Sequence, residues 1–353
     1  MKLFVPGRIC LFGEHSDWAG GHRNINRDIG KGHTVIVGTN QGLYANITPH
    51  PNKLILQSSL GKGAGVNTCQ LPMERSALLR EAESGNFFSY AAGVAYHAVI
   101  KHPVGGLNIC NYLTDLPIKK GLSSSAALCV LVARAFNKIY DLKMTVREEM
   151  EVAYLGETTT PSKCGRMDQG CAYGNRPIMM TFDSDQVDVQ ELLISQNLFF
   201  VIVDLGASKD TREILTKLND CYPFARNKSH ENVHKYLGPT NARITHEARD
   251  ALIQGDSARI GQLMKEAQAR FDEAMQPICP SQLTAPNLHR MLDYEPIQPY
   301  TFGGKGVGSQ GDGSAQFIAK DKVSQQKIID ILQSELKMSC LKLTLKYKPE
   351  NSA

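Results

Sequence analysis

Four short segments concentrate residue types that could do chemistry. The first, Lys119-Lys120-Gly121-Leu122-Ser123-Ser124-Ser125-Ala126-Ala127, sets a glycine and three small hydroxyl residues ahead of an apolar helix. The first turn of such a helix carries unpaired N–H groups and the positive end of the dipole. Small residues let a phosphate approach those donors, and serine hydroxyls can bond phosphate or a bound Mg2+. A core helix with an ordinary serine cap is the other reading, and the string alone leaves both open. The lysine pair and the nearly all-apolar continuation (Leu128, Val130, Leu131, Val132, Phe136, Ile139) bring the phosphate reading level with it.

The second segment is Pro6-Gly7-Arg8-Ile9-Cys10-Leu11-Phe12-Gly13-Glu14-His15-Ser16-Asp17, an apolar strand feeding a loop with Arg8, Glu14, His15 and Asp17. Two carboxylates beside a histidine suit the hydroxyls of a polyol or sugar. Taken alone, a surface turn at a strand end accounts for it as well. The third runs from Pro161 to Gly170 through Cys164-Gly165-Arg166-Met167-Asp168-Gln169, behind a helix bearing Glu157. An aspartate in a glycine-bounded loop can accept a proton or orient a hydroxyl nucleophile. Glu157 could give a carboxylate to Mg2+, while an Asx-type turn at Asp168 is the plainer alternative. The fourth packs six glycines between Gly303 and Gly313, which permits close approach to a ligand or a neighbouring strand. It lacks the dinucleotide-binding spacing, and no Walker A motif occurs.

The elements that must position these segments alternate in type. Strands are predicted at 2–5 and 8–12 around Pro6-Gly7, at 33–38, 42–48, 53–58, 105–112, 177–182, 198–205, 314–319 and 340–346. Helical spacing covers 74–101, 123–140, 145–157, 210–219, 241–254, 256–275 and 323–336. Thr145 with Glu148 three residues on is a capping-box signature. The pattern is α+β in two parts, with a boundary near 185–200.

Composition narrows the field. A chain of 353 residues is comfortable for two domains. Its 39 Lys and Arg against 35 Asp and Glu leave a net charge of +4, which argues against a polybasic nucleic-acid or membrane binder. Nine cysteines without a CxxC pair read as reduced thiols in a cytoplasmic protein, and neither a signal peptide nor a membrane span is expected.

Together, Pro-x-Arg-x-x-Leu-x-Gly-Glu-His, Gly-Leu-Ser-Ser-Ser-Ala and a late glycine-rich segment resemble the GHMP kinase superfamily, over residues 6 to about 319. The resemblance implies an N-terminal left-handed β-α-β domain (1–190) and a C-terminal ferredoxin-like domain (191–353). It implies ATP and Mg2+ as cofactors. Lys120, Gly121, Leu122, Ser123, Ser124, Ser125 and Ala126 would hold the ATP phosphates, with Ser124, Ser125 and Glu157 at the metal. Asp168 would be the base or orienting residue, and Arg8 would stabilise phosphoryl charge. Glu14-His15-Ser16-Asp17 and Cys164-Gly165-Arg166-Met167-Asp168-Gln169 resemble the galactokinase members. On that likeness Glu14, His15, Asp17 and Gly165 would contact a monosaccharide phosphorylated at its anomeric hydroxyl.

Alternatives are a mevalonate kinase-type enzyme and a non-catalytic sugar-sensing regulator; retained Arg8, Glu157 and Asp168 speak against the latter. A small-molecule enzyme, monomeric or homodimeric, with no nucleic-acid partner is the expectation. Two departures bear on the acceptor. His22 to Asp28 is strongly polar where relatives continue into an apolar strand, and Asp312 stands in the glycine-rich segment. Arg23, Arg27 and Arg166 could pair with an anionic sugar such as a uronic acid; solvated surface charge is the preferred reading.

Overall fold

In a computed structural model, the opening strand runs straight through both of its sequence breakers. β1 spans Lys2–Phe12, including Pro6-Gly7, where two strands are predicted. Its only strand partner is β2 (Gly32–His50) among the described residues. One edge therefore asks for no N–H, and a proline is tolerated there. The structure describes residues 1–59, 66–86, 88–116, 122–162, 164–207 and 209–347.

Between β1 and β2 lies the short helix α1 (Ser16–Gly21). After β2 come β3 (Lys53–Ser59), β4 (Val66–Pro72), α2 (Arg75–Ser84), α3 (Ser89–Lys101), β5 (Gly106–Thr114), α4 (Ser124–Ile139) and α5 (Val146–Thr158). The chain continues with β6 (Ile178–Asp183), β7 (Gln186–Glu191), β8 (Leu198–Asp204), α6 (Thr211–Asn219), α7 (Lys228–Lys235), α8 (Asn241–Gln254) and α9 (Ser257–Met275). It ends with α10 (Pro280–Leu283), α11 (Pro286–Leu292), β9 (Thr301–Gly306), β10 (Ser314–Ala319), α12 (Lys322–Leu336) and β11 (Cys340–Leu345). Two compact units form, each from two stretches: Met1–Arg8 with Val37–Asn175, and Ile9–Ile36 with Arg176–Ala353.

In the first unit the strands lie in the order β4-β3-β5-β2, with β1 beside β2. β3 and β5 are parallel, so the chain must cross over between them, and β4, α2 and α3 fill that connection. α4 buries residues around most of its circumference, including Cys129, Val130, Leu131, Val132 and Phe136, as a core helix must. α5 opens with the predicted capping box, Thr145 and Glu148 each accepting from the other's backbone N–H. α3 and α5 cross at glycines. A Cβ on Gly93 would lie 2.2 Å from the Gly156 carbonyl oxygen.

In the second unit β11-β8-β10-β9 form an antiparallel sheet. Numbered in chain order this is 4-1-3-2, with helices between the first and second strands and again between the third and fourth. That is the ferredoxin-like arrangement. Val201, Val203 and Phe317 pack one face of it against Leu288, Met291, Ile328 and Leu332. A second core gathers Leu218, Val233, Phe271 and Met275, with Trp18 against it. Gly32–Ile36 of β2 pair with β6, which pairs in turn with β7.

Three local expectations change. The helical stretch 74–101 is two helices, because α2 ends on Gly85 in the left-handed region (φ 69°). The two strands expected at 33–38 and 42–48 are one, β2. Gly42 is needed there for close approach, since a Cβ would lie 2.2 Å from the Val5 carbonyl oxygen. The glycine-rich segment, for which no strand is predicted before 314, begins inside strand β9. Among the described residues no helix is long and apolar enough to cross a membrane, and all nine cysteines are free thiols.

Candidate active site

The first unit assembles two of the sequence motifs around one aspartate. Gly7 lets the backbone run against the loop before α4, because a Cβ there would meet the Leu122 carbonyl oxygen at 2.8 Å. The next residue, Arg8, donates its backbone N–H to that same carbonyl at 2.9 Å. Its guanidinium forms an ion pair with Asp168. Asp168 is the first residue of a 3-10 turn, Asp168–Tyr173, rather than part of an open loop. The Arg8 side chain is 5% exposed and that of Asp168 is 25%, so the carboxylate is the partner a ligand can reach.

Glu157 completes this group from α5, next to the Gly93–Gly156 crossing. It is 1% exposed, and its Oε2 accepts from Gln169 Nε2 at 2.7 Å. Burial, followed by the nearby Asp168 charge, pushes its carboxyl up to about 7. Hydrogen bonds from Ser125 and Gln169 and the Arg8 charge oppose that shift. Ser123, the N-cap of α4, has a left-handed backbone (φ 54°) and makes no side-chain cap. The first N–H groups of α4 are therefore not occupied by their own cap. Ser123, Ser124 and Ser125 are half-buried, whereas Leu122 and Ala126 are buried. Lys120 and Gly121 lie outside the described residues. Gly165 is half-buried, three residues before Asp168, and the Cys164 thiol receives a long contact from Gln169 Nε2 at 3.7 Å.

The donor set fits Mg2+. A buried carboxylate, a second one partly open, a serine hydroxyl and the buried Gln169 Oε1, which has no hydrogen-bond partner, are all oxygen ligands. Among the described residues no three His, Cys, Asp or Glu side chains cluster as a closed metal cage. Mg2+ asks for none, since it keeps waters and substrate phosphates beside one or two carboxylates.

The second unit holds the other predicted contacts. Glu14 forms an ion pair with Lys305 of β9, their side chains 4% and 1% exposed. Lys305 also donates to the Gly306 carbonyl at 3.0 Å, so this cation is occupied internally and is not a phosphate ligand. His15 is buried, with a left-handed backbone (φ 68°). Its ring stacks on Phe271, and Trp18 Nε1 donates to its Nδ1 at 3.2 Å. Burial lowers its pKa to about 4, with Lys209 and Lys305 adding to the effect and the Ser309 backbone opposing it. Asp17 is half-buried on α1.

Asp312 turns to α11: it accepts from Leu288 N at 2.9 Å and Asn287 Nδ2 at 3.0 Å, capping that helix from a distance. Lys209 donates to the carbonyls of Val307 and Gln310 at 3.1 and 2.8 Å, closing the turn between β9 and β10. Arg23 is taken up by Asp183 and by the carbonyls of Arg27 and Ile29. Arg166, in the first unit, pairs with Glu151 and lies over the Tyr154 ring. Arg27 is exposed. Sequence reasoning missed Gln169, Lys209, Trp18 and the pairing of Lys305; Gln169 alone carried a local signal, its adjacency to Asp168.

Residues 89–175 match the family model described as GHMP kinases N terminal domain. A galactokinase of Thermococcus kodakarensis is 26% identical over 79% of this chain and 80% of its own length. In structure the chain is similar to Lactococcus lactis galactokinase complexed with galactose (TM-score 0.71, 15% identity, 98% of this chain and 93% of that one). It is equally similar to Methanococcus jannaschii mevalonate kinase (TM-score 0.72, 16% identity, 99% and 98%). Residues 89–175 are thus similar to the GHMP kinase N-terminal domain, and the chain has the fold of these galactokinase and mevalonate kinase structures. It is a phosphotransferase whose acceptor is an alcohol group.

Proposed function

We propose that the chain phosphorylates the anomeric hydroxyl of a monosaccharide. The observation that carries this reading is the Asp168 carboxylate, held by buried Arg8 yet a quarter exposed, beside the buried Glu157. An alcohol oxygen attacks the γ-phosphorus of ATP, its proton passes to Asp168, and the bond to the ADP oxygen breaks. Arg8 orients Asp168 and neutralises charge that gathers on the transferred group. Leu122 to Ala126 supply the phosphate-facing start of α4, and the motif assigns Lys120 and Gly121 to the same phosphates. Mg2+, held by Glu157 with Ser124 and Ser125, would neutralise phosphate charge. His15 and Asp17 recognise sugar hydroxyls, as does Gly165 through its backbone, while Glu14 stays in its ion pair with Lys305.

A sugar is preferred over mevalonate for two reasons. The relative from Thermococcus kodakarensis is named a galactokinase, and both galactokinase-like strings are complete here. With Arg23 and Arg166 already paired, a neutral sugar fits better than a uronic acid. An ADP-release assay across galactose, fucose, arabinose, glucuronate and mevalonate tests the proposal. Turnover of a neutral sugar is expected; turnover of mevalonate alone overturns it.

A further inference from the structure

The turn that carries Asp168 is held by a guanidinium at each end. Asp168 opens the turn and pairs with Arg8. Near its close the Cys171 carbonyl accepts from Gly174 N at 3.0 Å, and the next carbonyl, that of Ala172, accepts from Arg134 Nη2 at 2.6 Å. Carbonyls at a helix end have no partner within the helix, so one must come from outside. Arg134 lies in α4 and turns its Nε to α5, donating to Glu149 Oε2 at 2.7 Å. Glu149 is 3% exposed, and its other oxygen accepts from Asn137 Nδ2 at 2.7 Å. Asn137 also donates to the Met144 carbonyl at 2.9 Å and accepts from the Met144 N–H at 3.0 Å. One planar fork therefore joins α4, α5 and the turn. The charges of Arg134, Arg8, Asp168 and Glu157 all act on the Cys171 thiol buried in that turn, so the second arginine shares the electrostatic neighbourhood of the first.

A buried ion pair is a poor source of stability, since an apolar pair of similar volume commonly holds a fold as well. What an apolar pair cannot do is grip a carbonyl at a fixed angle. Ala172 stands four residues after Asp168, about 8 Å along a 3-10 turn, so a shift at one end is passed to the other. We propose that Arg134 is a positioning residue: its hold on the Ala172 carbonyl fixes the far end of the turn, and with it the angle at which Asp168 meets the acceptor hydroxyl. The value of that angle to turnover rests on the reading of Asp168 as the acceptor's base; the placement of the carboxylate does not. Arg134 belongs to the same helix that opens at Ser124. Proton acceptor and phosphate donors are thereby referred to one rigid element.

The test has a structural and a kinetic arm. Arg134→Met/Glu149→Leu replaces the charged pair by apolar groups, and its urea midpoint should stay close to the parent's. In its crystal structure the Asp168 carboxylate should be displaced by about 1 Å, while α4 and α5 superpose on the parent. With the alcohol turned over best, kcat should fall by about 10- to 100-fold. KM for ATP should stay within about twofold, because a misplaced base slows the chemical step alone. In the Asp168→Asn background the same double change should cost less than about twofold, with no base left to position. Arg134→Lys keeps a charge opposite Glu149 without the planar fork, and should lower kcat about fivefold with KM for ATP again flat. It carries the kinetic arm if the apolar pair does not fold. An unmoved Asp168 carboxylate overturns the proposal, and so does an equal kcat loss in the parent and Asp168→Asn backgrounds. If Asp168→Asn itself leaves turnover unchanged, or no alcohol is turned over, the base assignment fails while the crystal structure still decides whether Arg134 places the carboxylate.

Discussion

Each unit places a cation against a carboxylate, and the two pairs differ in what is left over. Glu14 and Lys305 are sealed, 4% and 1% exposed, and no further acid lies in that pair. Arg8 and Asp168 are sealed on the basic side only, and a second carboxylate, Glu157, shares the same cation. Among the described residues the first is one acid with one base, complete as a pair; the second sets two carboxylates beside one arginine. Completion makes Glu14–Lys305 part of the scaffold that carries His15 and Asp17. The second carboxylate leaves the Arg8–Asp168–Glu157 group able to offer an oxygen ligand to a cation such as Mg2+.

The sharpest way to break the comparison is to remove the open carboxylate. Asp168→Asn should lower kcat by about 10³-fold, within the usual range for a general base, and leave the denaturation midpoint nearly unchanged. Unchanged turnover in the ADP-release assay would show that the wrong group had been chosen. The sealed pair should behave the other way. Lys305→Met strands a buried Glu14, and urea denaturation should show a loss of about 3–5 kcal/mol, with much of it recovered in Lys305→Met/Glu14→Gln.

Next comes the titration of Glu157, whose pKa is raised from 4.5 to about 7. The folded protein then binds more protons than the unfolded chain between these values. Stability of the metal-free protein should therefore fall as pH rises from about 4.5 to 7, by about 3 kcal/mol in all. Equilibrium denaturation across that window should show the slope in the parent and a flat profile in Glu157→Gln. Added Mg2+ should offset the loss most strongly above pH 7, where the carboxylate is free of its proton. The smallest effect belongs to Asp312. Asp312→Ala removes the cap on α11 and should cost about 1 kcal/mol in thermal or urea melts. It should leave KM for ATP within about twofold, because the carboxylate faces Leu288 and Asn287.

Local features were legible in the sequence and distant partnerships were not. The capping box at Thr145 and Glu148 is a three-residue pattern whose physics is complete within one turn, and it forms as read. The apolar run from Leu128 to Ile139 could only be a buried helix once it exceeded strand length. Polar punctuation misled where tertiary contacts use it differently. Asn40-Gln41-Gly42 has turn chemistry, yet β1 packs so closely that only a glycine at 42 fits and the strand continues. Arg8, Asp168 and Glu157 were recognisable by motif. That Arg8 pairs with the partly open Asp168 while Glu157 is the buried carboxylate is set by tertiary packing, which no string records. Lys305 and Glu14 are 291 positions apart, and nothing local to either residue announces the pairing. Nothing local to Asp312 announces that it caps α11, 24 positions from its partner Leu288.

The glycine crossing between α3 and α5 carries a further consequence. With a Gly93 Cβ only 2.2 Å from the Gly156 carbonyl oxygen, neither helix can shift toward the other, and Glu157 is the next residue along. The crossing therefore fixes, by backbone contact alone, the place of the carboxylate proposed to hold the metal. Mg2+ needs short oxygen distances in near-octahedral array, whereas Ca2+ accepts longer and looser ones. On that assignment, a methyl group at position 93, which touches no ligand, should shift the carboxylate and with it the preference between the two ions.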